Sequence, residues 1–215
     1  MLHNEFIKAY SRVCRIAASP QMQKTGQERH NMQIYKGRPE NTDGRLAREL
    51  RVYDFLDSLG IEYWRTDHMG NRAFTMNDCK TIDATLETVL CKNLFLCTAN
   101  HKNFFMLMMP GDKPFRTKYI TSQTGTGRLS FAPEEKMLEF LDIEPGAVSL
   151  MGLMNDHDNH VKLLVDKDLL NEKFVGCHPC VNTSSLKLKS EDAFGTYLKA
   201  VHHDMQVVEL PWEVE

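Results

Sequence analysis

Cys91-Lys92-Asn93-Leu94-Phe95-Leu96-Cys97 sets one cation and one amide at the mouth of a short apolar run. Leu94 to Leu96 is too short for a helix and predicts a buried strand. A lysine at the lip of such a strand has two readings. Its stem can pack along apolar surface while the ammonium reaches water, or it can be an active-site cation on a rigid strand end. A second stretch, Gly176-Cys177-His178-Pro179-Cys180-Val181-Asn182-Thr183, favours the second reading. There glycine, histidine, proline and asparagine crowd a loop just ahead of another strand.

Outward from Lys92, Thr98 to Asn103 predicts a polar hairpin turn, and Phe104 to Met109 a second apolar strand closed by Pro110-Gly111-Asp112. Toward the N-terminus, Ile61 to Trp64 alternates and predicts a strand. Leu46, Leu50, Tyr53 and Phe55-Leu56 line one face of a helix that Asn41-Thr42-Asp43 can cap and Gly60 ends. Thr75 or Asn77 can cap a short helix toward Ile82. Phe6, Tyr10, Val13 and Ala17 predict an amphipathic helix over Glu5 to Ala17, and residues 19 to 44 read as linker or loose loop.

Toward the C-terminus, Thr124 to Gly127 is a loop, and Pro133 opens a helix that carries Met137, Leu138 and Leu141 inward. Val148 to Leu153 and Val161 to Val165 are expected as paired strands around the polar turn Asn155 to His160. Leu186 and Leu188 mark another strand. Ser190 is placed to cap a helix bearing Phe194, Leu198 and Val201, and Val207 to Leu210 closes the sheet. Interspersed helices and strands, several of them joined by tight turns, predict an α+β domain. Its central sheet is mixed, largely antiparallel, and flanked by helices.

A length of 215 residues suits one domain with an appendage: an N-terminal helical extension and linker over 1–44, and the main domain over 45–215. Apolar content of 42% supports a core, and no run approaches the roughly 20 apolar residues that span a bilayer. Six cysteines at 14, 79, 91, 97, 177 and 180 are scattered in a chain too large to need staples, which suits reduced thiols in a cytoplasm. No secretory signal is read at the N-terminus. The net charge of −3 is unevenly spread: residues 1–51 hold ten Lys/Arg against five Asp/Glu, the rest sixteen against twenty-four. A basic arm on an acidic body can contact RNA phosphates, or it can be ordinary solvated charge.

A set of short pieces, in order, carries a resemblance. They are Val52 to Asp57, Asp67-His68, Lys92 to Leu96, Leu107 to Asp112, Gly127 to Ala132, Glu144-Pro145-Gly146, Gly152 to Asp156, Gly176 to Pro179 and the Ser190-Glu191-Asp192 helix start. With them the chain resembles the YbaK-like aminoacyl-tRNA editing domains related to the insertion domain of prolyl-tRNA synthetase. The likeness is greatest to their free-standing, PrdX-like branch, which removes alanine from mischarged tRNA for proline. It spans roughly residues 45 to 210. It implies that fold, a hydrolytic site with no metal or other cofactor, and assistance from the tRNA's own terminal hydroxyl.

The resemblance makes Lys92 the first catalytic candidate, with His178 beside it to orient water or a ribose hydroxyl, or else to serve the loop structurally. Asn93, Gly176, Pro179 and Asn155 are candidate substrate contacts, and Leu94, Phe131, Leu153 and Met154 candidate apolar walls, each of which is equally a core position. The partners implied are the aminoacylated 3′ end of tRNA and prolyl-tRNA synthetase, with neither membrane nor DNA. Cys97 departs from the family, which often has a basic residue there. A relative that binds tRNA without catalysis, or one that edits another amino acid, is the alternative.

Other chemistry has weaker support. Cys177-His178-Pro179-Cys180 has the spacing of thiol redox enzymes, but the first cysteine there opens a helix, whereas Val181-Asn182-Thr183 leads into a strand. The same cysteines with His157 or His160 make a thin zinc set, lacking a second Cys-x-x-Cys or a His-x3-His. His202-His203 follow a helix end, where imidazoles meet the helix dipole. There is no Gly-x-Ser-x-Gly elbow and no glycine-rich phosphate loop.

Overall fold

The computed structural model describes residues 32–68 and 76–213. The helix expected over Glu5 to Ala17, most of the basic arm, and Thr75 lie outside the described residues. The elements in chain order are β1 (Tyr35–Lys36), α1 (Ala47–Ser58), β2 (Tyr63–Asp67), α2 (Met76–Leu86), β3 (Val89–Thr98), β4 (Phe104–Pro110), α3 (Lys118–Thr124), β5 (Leu129–Phe131) and α4 (Glu134–Leu141). A 3-10 turn at Leu150–Asn155 then leads to β6 (Val161–Asp166), a second 3-10 turn (Lys167–Asn171), β7 (Phe174–Cys177) and β8 (Ser184–Lys189). A π-helical turn, Asp192–Tyr197, runs into α5 (Leu198–Ala200), and β9 (Met205–Val208) ends the sheet.

These strands form one sheet in the order β1-β2-β8-β7-β3-β4-β6-β9, with β5 also on β3. Pairing is antiparallel except at β3–β7, β4–β6 and β6–β9, so the sheet is mixed and largely antiparallel as expected. β3 and β4 lie at its middle, and alternation splits their side chains between two apolar layers. Cys91, Phe95, Cys97, Phe104, Met106 and Met108 join the layer under α1, α4, the first 3-10 turn and α5. Leu94, Leu96, Phe105, Leu107 and Met109 join Ile120 of α3 on the other face. That opposite layer has a second, separate patch, where Ile82 and Leu86 of α2 meet Leu90.

Several local expectations are corrected. Leu150 to Asn155 forms a 3-10 turn rather than a strand, and β6 pairs in parallel with β4 and β9 instead of with that segment. Tyr197 explains this, since its buried hydroxyl donates to the Met151 carbonyl at 2.8 Å and so ties the turn beneath the C-terminal helix. The strand expected at Ile61 starts two residues later, because Ile61 N–H bonds Leu56 O to finish α1. Asn41 Oδ1 accepts Asp43 N–H in a local turn, and Leu46 is the N-cap of α1, with no side-chain cap bond. Leu138 of α4 is half exposed and Phe140 takes its place inside. Ser190 is buried with its hydroxyl unpartnered among the described residues rather than capping, and it is Ala193, Tyr197 and Leu198 that are buried beyond it. Tyr35–Lys36, within the stretch read as linker, is an edge strand on β2.

Candidate active site

Lys92 sits where β3 changes neighbours. On one edge β3 pairs with β4 from Cys91 to Cys97, and Lys92 opposes Met109. On the other edge β7 accompanies it through Val89↔Val175 and Leu90↔Gly176, and β5 joins at Leu96↔Phe131. Between those partners Cys91 to Leu94 have no strand neighbour on that edge among the described residues. Gly176 makes the first close approach possible: a Cβ there would stand 3.0 Å from Leu90 Cα and 3.1 Å from Val89 O. The last pair, Leu90↔Gly176, comes two residues before Lys92 on one strand and two before His178 on the other, and past Cys177 the chain leaves the sheet.

On the even-numbered face of β3, Lys92 is the polar break between Leu90, packed on α2, and Leu94, packed beneath α3. Its ammonium donates to the Lys113 carbonyl at 2.7 Å. The turn that presents this carbonyl is fixed from below. Lys113 is fully buried, its Nζ 2.9 Å from Asp166 and 2.8 Å from Asp168, and Trp212 lies over it with its ring centroid at 5.0 Å. Burial lowers the Lys92 pKa from that of an exposed lysine, and the charge of Asp112 opposes the shift. Asn93 turns back along its own strand: Nδ2 donates to Cys91 O at 3.4 Å, and Oδ1 is buried and accepts no hydrogen bond from the described residues.

The loop bearing His178 is pinned at main chain and side chain. Ser149, at the head of the first 3-10 turn, donates its hydroxyl to His178 O and accepts Met151 N–H at 3.2 Å. The His178 ring places Nδ1 at 3.0 Å from Ser184 O and 3.3 Å from Ser185 Oγ. Burial lowers its pKa to about 4, so the imidazole is neutral at neutral pH. Ser184 Oγ donates in turn to Asp67, which Arg45 holds at 2.7 Å and Arg65 also contacts. Arg45 also meets Glu49 at 2.5 Å, and Tyr53 donates to that same carboxylate at 2.7 Å. An almost fully buried ionic network thus ties α1, β2 and β8 together behind the loop.

The structure therefore sets Lys92 and Asn93, on opposite faces, along the unpaired stretch of β3, the gap in its pairing, and Gly176, His178 and Pro179 at and just past the end of β7 where its pairing with β3 stops. Leu94 lies next along β3, buried, and Phe131 further on is half exposed on β5. Leu153 is fully buried in the other apolar layer and Met154 packs partly against it. Asn155 gives its amide to Leu141 O at 2.8 Å. These three stand in and beside the 3-10 turn that supports the His178 loop, across the sheet from Leu94. Ser149, Ser184, Ser185 and Lys113 escaped sequence reasoning. Serines before a strand are common, and a buried lysine has no sequence signal.

Cys177 closes β7 and Cys180 follows in the loop, both buried. Burial pushes the Cys177 thiol up to about 12 and Cys180 higher still, the reverse of a reactive thiolate. His160 is engaged with Asp156 at 3.1 Å and stacked on Phe140. Among the described residues no group of three His, Cys, Asp or Glu side chains is placed to hold a metal ion.

A family model described as aminoacyl-tRNA editing domain matches residues 72–194, a span that contains Lys92, the gap and the His178 loop. The chain belongs to the aminoacyl-tRNA editing domain family. This editing domain is 30% identical over 155 residues to the prolyl-tRNA editing protein ProX of Acetoanaerobium sticklandii, covering 72% of this chain and 93% of that protein. It is 32% identical over 162 residues to the mouse prolyl-tRNA synthetase associated domain-containing protein 1, covering 73% and 94%. A crystal structure of a candidate trans-editing enzyme for prolyl tRNA synthetase superposes with a TM-score of 0.58 at 14% identity, over 77% of this chain and 99% of that one. That likeness speaks to the fold, and it matches the mixed sheet flanked by helices. Among the described residues no helix is long and apolar enough to cross a membrane.

Proposed function

We propose that this protein is a free-standing editing hydrolase that deacylates mischarged aminoacyl-tRNA in the cytoplasm, with alanine esterified to proline tRNA as its substrate. The observation that carries the reading is the gap in β3. There a half-buried ammonium stands on the unpaired stretch of the strand, a neutral imidazole follows the end of β7, and Asn93, on the opposite face from Lys92, keeps a buried amide oxygen that accepts nothing from the described residues. Such a gap suits the small end of a large substrate.

The chemistry asked of the site is modest. An aminoacyl ester is already activated, so positioning and charge stabilisation provide most of what hydrolysis needs. Water adds to the ester carbonyl, the carbonyl–ribose oxygen bond breaks, and the water's proton passes to the ribose oxygen. In this reading Lys92 stabilises the oxyanion or the adjacent phosphate, as a compact point charge can. His178, uncharged, accepts from the attacking water or the terminal ribose hydroxyl and orients it. Discrimination follows from size: a synthetase pocket built for proline excludes the smaller alanine weakly, and a second, narrower site removes the error.

The test is a deacylation screen across Ala-, Ser-, Cys- and Pro-charged tRNAs. The reading expects Ala-charged proline tRNA to be cleared fastest and Pro-charged tRNA to survive. Rapid loss of the Pro ester, or no hydrolysis of any, would contradict it.

A further inference from the structure

His68, the residue after β2, is buried and has no part in the hydrolysis as proposed. Its main-chain N–H donates to Thr183 O at 2.9 Å, fixing it against the end of the His178 loop. Its ring stands edge-on to that of His178, centroids 6.4 Å apart. Ser185 Oγ lies between them, 3.1 Å from His68 Nε2 and 3.3 Å from His178 Nδ1.

The protons of this group can be counted. Ser184 O can only accept, so His178 Nδ1, 3.0 Å away, carries a hydrogen; a lone pair there would face the carbonyl's own. Ser185 Oγ is then a second acceptor of that N–H, and its own proton is available to His68 Nε2, an arrangement the proposal adopts. His68 in turn carries its ring hydrogen on Nδ1. The first assignment is forced by a carbonyl that has no choice; a serine oxygen can accept twice, so the direction from Ser185 to His68 belongs to the proposal. That carbonyl is itself immobile, since Ser184 pairs with Asp67 across β2–β8 and also donates its hydroxyl to Asp67.

We propose that His68 and Ser185 are positioning residues for His178: they hold its ring as the Nδ1–H tautomer, leaving Nε2 as the acceptor for the substrate's water or ribose hydroxyl. The partner of one ring nitrogen commonly decides what the other can do. The catalytic half of this proposal rests on the deacylase reading; the tautomer half does not.

The experiment has two arms. In protein carrying 15N-histidine, spectra at neutral pH, assigned with His68→Gln and His178→Gln, should show both rings protonated at Nδ1 and unprotonated at Nε2. An Nε2–H tautomer for His178 would overturn the proposal without any variant having to fold. In single-turnover deacylation at saturating protein, Ser185→Ala and His68→Leu should each slow the reaction about 10-fold, as loss of an orienting partner does elsewhere. The protein concentration giving half the maximal rate should not change. His68→Gln, whose amide oxygen can take the Ser185 proton, should stay within about threefold of wild type. Unchanged rates in Ser185→Ala and His68→Leu, or equal losses in His68→Gln and His68→Leu, would overturn it. Failure of the wild type to hydrolyse any aminoacyl-tRNA, with both Nδ1–H tautomers present, would overturn the deacylase reading and the catalytic half together while the proton arrangement stood.

Discussion

Two lysines 21 positions apart divide the work at residue scale. Lys92 spends one of its donors on the Lys113 carbonyl, and Lys113 is buried with its ammonium on two aspartates. Removing the second should be the costlier change for the fold. Lys113→Met leaves Asp166 charged and fully buried, which typically costs about 3–5 kcal/mol. Urea unfolding should show that loss, and a change under about 1 kcal/mol would refute the arrangement. His203 gives a pH test. It lies 3.2 Å from Asp156 and 2.9 Å from Val201 O. Burial alone would lower its pKa, but these acceptors outweigh it and the pKa is raised. A raised folded pKa means stability that is fully present below about pH 6.5 and fades as pH climbs through the folded value. His203→Leu should therefore lower Tm more at pH 6 than at pH 8.5. Equal losses at both would contradict a charged pair.

At the scale of elements, the join between β7 and β3 should be the most sensitive place. Gly176→Ala brings a Cβ to 3.0 Å from Leu90 Cα, so the two backbones must part. Overpacking of this kind costs about 1–3 kcal/mol, and here it also moves His178 relative to Lys92. Single-turnover rates should fall together with Tm; a rate loss without destabilisation, or neither, would argue against the packing account. Cys177→Ser with Cys180→Ser should leave deacylation within a few-fold, since neither thiol is needed; oxidation-sensitive activity that reductant restores would count against this. The same elements show what the sequence made legible. β3, β4 and β8 could be read because alternation and apolar runs are local signals. The 3-10 turn at Leu150–Asn155 could not, because its apolar residues answer to Tyr197 far along the chain. α3 was missed for a similar reason, as its seven residues carry a single buried side chain, Ile120. Lys92, Asn93 and His178 stood out as polar residues interrupting apolar pattern. His68, Ser149 and Ser185 did not, because what marks them is which side chain they meet.

For the whole molecule, the sheet brings residues from four separated stretches to one place: the end of β2, the middle of β3, the loop after β7 and the start of β8. The fold contributes rigidity there through the Arg45–Glu49–Asp67–Arg65 network on one side and Lys113 with its aspartates on the other. In this account the structure survives without Lys92 while the chemistry does not. The hydrogen bond from Lys92 to the Lys113 carbonyl, lost in Lys92→Ala, stabilises by about 1 kcal/mol. Lys92→Arg should not restore activity, since a planar fork cannot occupy a point-charge site in the same geometry. The decisive measurement is single-turnover hydrolysis of Ala-charged proline tRNA by Lys92→Ala protein shown to be folded. The account predicts a rate at least about 10²-fold below wild type, the scale of losing one preorganised donor. A rate near that of wild type would contradict the assignment of Lys92 and transfer the catalytic role to His178.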